Sequence, residues 1–101
     1  MLGMQKYRVM IHGQNLLTVV DGVKQRFGFY TNVFVEAVSS ADAEACAIHV
    51  LNEDNSLADI MLNSENDPLS LRVDEIYEIE SFDGHSVPRD AFMLYPANDK
   101  Q

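Results

Sequence analysis

The sequence has one cysteine, Cys46, and no tryptophan. A lone thiol cannot close an internal disulfide, and a CxxC or Cys/His zinc framework fails on count alone. Set among Ala43, Ala45 and Ala47, and beyond the first turn of a helix over 41–53, Cys46 reads as a core thiol and not as a nucleophile. Cations are also scarce: 7 Lys and Arg stand against 16 Asp and Glu, a formal charge of −9. Such a surface repels phosphate and anionic lipid, so binding to nucleic acid or to a membrane surface is not expected. Long apolar runs are missing as well. Leu16-Leu17 and Val19-Val20, split by Thr18, fall far short of the roughly 18 to 20 residues that span a bilayer. Residues 1–6 contain no apolar h-region and Leu2 follows the first Met, so no signal peptide or myristoylation is expected and a cytoplasmic location is. With 5 Gly and 3 Pro the chain is not of low complexity, and no repeat or linker divides it. Residues 1–101 therefore read as one small domain, long enough to bury about two thirds of its surface around a single core.

What is present is periodicity. Tyr7, Val9 and Ile11 alternate with Arg8, Met10 and His12, the period-two pattern of a strand with one buried face, and this strand can reach Val20 through a bulge at Gly13. Asp21-Gly22 is a turn dipeptide, and the aromatic and β-branched stretch 27–38 after it completes a hairpin. Ser39-Ser40 can cap a helix over 41–53, with Asp42 and Glu44 near its positive end and an apolar stripe of Ala41, Ala45, Ile48 and Leu51, widened by Ala47 and Val50. Between 52 and 68, polar clusters enclose Leu57, Ile60, Met61 and Leu62, which read as a second helical turn or a short strand. Leu69, Leu71, Val73, Tyr77 and Ile79 then recur at odd positions as another strand, and 91–95 form a last apolar patch.

This order predicts an α+β domain: a small antiparallel sheet in β-β-α-β order, arranged 2-1-3, with one main helix on one face and a C-terminal apolar segment. Met10, Tyr30, Phe34 and Val38 lie on the parity opposite Val9, Phe29, Val33 and Val35, so both sheet faces are partly apolar. The helix covers one; residues 92–95 or a partner chain must cover the other.

Motifs that would carry chemistry are few. His12, His49 and His85 show no HxH or HExxH spacing, the serines no nucleophile elbow, and Gly13, Gly22, Gly28 and Gly84 no phosphate loop. Asp54, Asp59, Glu65 and Asp67 lack the ligand order of a calcium loop. No catalytic residue, metal or cofactor is assigned, and enzymatic activity is not expected. Asp74, Glu78 and Glu80, at even positions of one strand, form an acidic face that is either simply solvated or a dock for a basic protein. The reading placed first is a non-enzymatic acidic interaction or accessory module, a homo-oligomer binding another protein. The second is a small-ligand-binding or catalytic α+β dimer with a pocket lined by Met10, His12, Tyr30 and Phe34. The third is an inhibitor or immunity-type protein that occludes a basic surface.

Overall fold

In the computed structural model, which describes residues 3–97, the first two strands form one long hairpin. β1 (Gln5–Val20) and β2 (Val23–Ala37) pair antiparallel from Gln5 opposite Ala37 to Val20 opposite Val23. Asp21 and Gly22 between them have φ of 55° and 78°. A two-residue reversal of this kind needs positive φ at both positions, which Asp tolerates and Gly adopts freely. Between Gly13 and Leu16 the pairing slips, and Asn15 absorbs the extra residue at a φ of 68°. The slip exchanges parity: Val9 and Ile11 before it, and Leu16 and Thr18 after it, are all buried.

Helix α1 (Ser40–Asn52) is capped by Ser39, whose hydroxyl accepts from the Asp42 N–H. Its buried stripe is Ala43, Ala47 and Leu51, packed on β2, β1 and β3. Ala41 and Ala45, expected on that stripe, are exposed. Alanines occupy two opposite sides of this helix, so their periodicity leaves its rotation open. The row that meets the sheet is the one that ends in Leu51, which is 1% exposed in the core. Helix α2 (Asn55–Ile60) follows, capped by Asp54 and burying Leu57.

Strands β3 (Ser70–Ile79) and β4 (Met93–Pro96) complete a four-stranded antiparallel sheet of order β3-β1-β2-β4. The order differs from the expected three-stranded 2-1-3, because residues 93–96 pair with Phe27 to Tyr30 and lengthen the sheet at the β2 edge. Of the expected C-terminal apolar segment, Phe92 packs on the core and the rest is placed by pairing. Met93 is 70% and Leu94 43% exposed, since it is backbone pairing that places this stretch. A second slip, between Met10 and Ile11 of β1, leaves Asp74 of β3 without an opposite residue. Leu71 and Val73 on one side of it and Ile76 on the other pack on the core, while Tyr77 turns to the opposite face under Arg8.

The face away from α1 is covered at one end from within the chain. Phe82 and His85 lie on Phe34 with ring centroids 6.5 and 4.7 Å away, leaving Phe34 3% exposed. The connection to β4 is pinned along the edge of β2 by the Val33–Arg89 bridge and by Phe34 N–H donating to the Pro88 carbonyl. Arg89 then reaches Asp54 at 2.5 Å and lies 3.9 Å over Phe92, which meets Phe29 edge-on.

Candidate functional site

Directly opposed residues in an antiparallel ladder share a face, so the register composes the open side of the sheet. Arg8, Met10 and His12 of β1 stand between Phe34, Asn32 and Tyr30 of β2 and Tyr77, Glu75 and Arg72 of β3. β4 adds Tyr95, opposite Gly28. The missing side chain of Gly28 is what admits Tyr95: a Cβ there would collide with the Tyr95 ring.

His12 is the centre of this group and is only 6% exposed. Its ring stacks on Tyr30 at 4.4 Å with planes 10° apart. Its Nε2 lies 2.5 Å from the Tyr95 hydroxyl and its Nδ1 3.1 Å from Arg72 Nη2, and the same Arg72 nitrogen pairs with Asp74 at 3.3 Å. A buried imidazole with both nitrogens engaged meets the general requirement on buried polar groups. Burial is the main reason that the Tyr95 phenol is held above its usual titration range, and nearby Tyr30 acts in the same direction. The arrangement links side chains from all four strands into one chain of contacts.

Of the residues expected to line a pocket, His12 and Tyr30 are brought together. Met10 lies beside them, flanking a 60 Å³ niche with Asn32 and Met93. Phe34 is on the same face but under Phe82 and His85. The acidic trio does not share one face. Asp74 sits at the bulge, Glu78 lies opposite the buried Tyr7, and Glu80 follows the end of β3. Sequence reasoning missed Arg72 and Tyr95. Gly28, a glycine inside an aromatic strand, is the signal that marks close approach of another group.

Two other polar atoms of the open face, Arg8 Nε and Asn32 Oδ1, are buried without a hydrogen-bond partner among the described residues. The Arg8 guanidinium lies 4.8 Å over the Tyr77 ring. Toward the hairpin turn, a 270 Å³ hollow is lined by Gln14, Asn15, Arg26, Gly28 and Tyr95 among others. A second hollow, of 280 Å³, lies on the helix side between Leu57, Met61, Pro68 and Leu71 and is mostly apolar. Cys46 is half-buried against the core on α1. Among the described residues no three His, Cys, Asp or Glu side chains converge as metal ligands, and no helix is long and apolar enough to cross a membrane. Comparison with protein-family models, with curated proteins and with solved structures finds no match, so the chemistry of this face has to be read from its own residues.

Proposed function

We propose that the domain is a non-enzymatic binding module that takes a small ligand on the open sheet face, beside His12, Tyr30, Arg72 and Tyr95. The observation that carries this reading is the Arg72–His12–Tyr95 chain stacked on Tyr30. Four polar and aromatic side chains from four strands are held in fixed relation on the face opposite α1, the preorganisation that recognition needs. Both ring nitrogens of His12 are occupied, which suits holding a geometry better than taking a proton from a substrate.

Docking of a basic protein on Asp74, Glu78 and Glu80, alone or by a homo-oligomer, has less support, because the bulge at Asp74 divides these carboxylates between faces. The cover that Phe82 and His85 provide for Phe34 also reduces the apolar area available to a second copy.

A fragment library screened against the ¹⁵N-labelled chain by protein-observed NMR tests the proposal. Bound fragments should shift the amides of Tyr30, Arg72 and Tyr95, and His12→Ala should abolish those shifts. Fragments that bind only between Leu57, Met61 and Pro68, or none at all, would overturn it.

A further inference from the structure

The hydrogen bonds around His12 have one consistent direction. A guanidinium has donors and no acceptor, so the Arg72 contact at 3.1 Å makes His12 Nδ1 the acceptor. The ring hydrogen then sits on Nε2 and is donated to the Tyr95 hydroxyl oxygen. The hydroxyl's own hydrogen must point elsewhere, and no acceptor for it occurs among the described residues. Burial favours the protonated phenol, so this hydrogen stays in place.

Tyr95 also lines the 270 Å³ hollow, together with Gln14, Gly28 and Arg26. Arg26 uses a single nitrogen, Nη1, for both Asn15 and Asp67, at 2.8 and 2.7 Å. Its Nε and Nη2 make no hydrogen bond among the described residues. The Tyr95 hydroxyl hydrogen and these two guanidinium nitrogens are thus donors without an acceptor among the described residues, while Asp67 balances the charge of Arg26. Resting on the ligand-binding reading above, we infer that the hollow takes the acceptor oxygen of a small molecule, a carbonyl or a carboxylate, with the Tyr95 hydroxyl and the Arg26 guanidinium as its donors.

The test is an NMR titration of the full chain with benzamide, benzoate and ethylbenzene, probes of similar shape that present a neutral acceptor, a charged one and none. The two oxygen-bearing probes should shift the Gly28 and Tyr95 amides and ethylbenzene should not. Tyr95→Phe keeps the ring on Gly28 and should weaken binding about three- to tenfold, the worth of one hydrogen bond. Arg26→Gln provides a second variant should the first lose its fold. Tighter binding of benzoate assigns the site to carboxylates, and tighter binding of benzamide assigns it to neutral carbonyls. Equal shifts with ethylbenzene, or equal affinity in Tyr95→Phe and Arg26→Gln, would overturn the acceptor-oxygen inference alone. Silence of every open-face amide, toward these probes and the fragment library alike, would overturn the ligand-binding reading with it.

Discussion

Replacing Asp54 by Asn removes one charge from the contact that ties the C-terminal stretch to α2 while keeping a side chain that caps a helix well. The Asp54 carboxylate accepts from Arg89 Nε and Nη2, from the Ser56 hydroxyl and from the Leu57 N–H. The Asp54 and Arg89 side chains are only 12% and 15% exposed, so solvent screens the pair little. A buried pair deprived of one partner costs about 3–5 kcal/mol, an upper range for this part-buried one. Asn keeps one oxygen for Leu57, so we expect Asp54→Asn to lose about 3 kcal/mol, near the lower end of that range. At about 4–8 °C per kcal/mol for a domain near this size, the melting temperature should fall by roughly 12–24 °C.

The pH dependence supplies the sharper check. The hydrogen bond from Arg89 is the main cause that holds the Asp54 carboxyl well below its usual range, Ser56 and Leu57 adding to it and burial opposing it. The folded chain therefore binds this proton more weakly than the unfolded chain. The stabilisation is complete above the unfolded carboxylate value of about 3.9 and is lost as pH falls from there toward the folded value. Urea denaturation followed by circular dichroism at pH 7, 5 and 3 should give the same gap between wild type and Asp54→Asn at the first two. At pH 3 the gap should be about 1 kcal/mol smaller. A gap below about 1 kcal/mol at pH 7, or one unchanged at pH 3, would refute the assignment of this pair as a clamp.

Phe34→Asp should unfold the chain, by about 3–5 kcal/mol in chemical denaturation, because the charge would lie under Phe82 and His85. If sedimentation shows instead a folded monomer released from a wild-type dimer, Phe34 lies at an interface. Gly13→Ala sets a methyl against the Phe29 ring and should cost about 1–3 kcal/mol by the same measurement, with no effect meaning that the ring moves freely. Gly22→Ala places a side chain at a φ of 78° and should cost about 1 kcal/mol. A neutral result would show that the turn relaxes to another type.

The hairpin was legible because its signals are local: alternation over Tyr7 to Ile11, and an Asp-Gly pair that selects its own turn. The strand β3 misled for the opposite reason. Leu69, Leu71 and Val73 set an odd parity that Tyr77 and Ile79 continue, yet Ile76 is the residue that packs on the core, because Asp74 is passed over in the pairing. An apolar residue at an even position was the sole trace of that slip. His12 and Tyr30 could be assigned to one face by parity. Arg72 and Tyr95, 60 and 83 residues from His12, meet it only through the registers of β3 and β4, which no nearby residue reports.

The same slip at Asp74 bears on how this chain behaves among its own copies. β3 is an outer strand, and the outer strand of an open sheet is a template on which another copy can add. A copy laying its β3 antiparallel alongside would set Asp74, Glu75 and Glu78 near the identical carboxylates, against an edge whose regular spacing the bulge has already broken. At the other edge, Pro96 ends β4 with a residue that has no N–H to offer. Like charges at this edge thus weigh against sheet growth from copy to copy and the fibrous assemblies to which it leads.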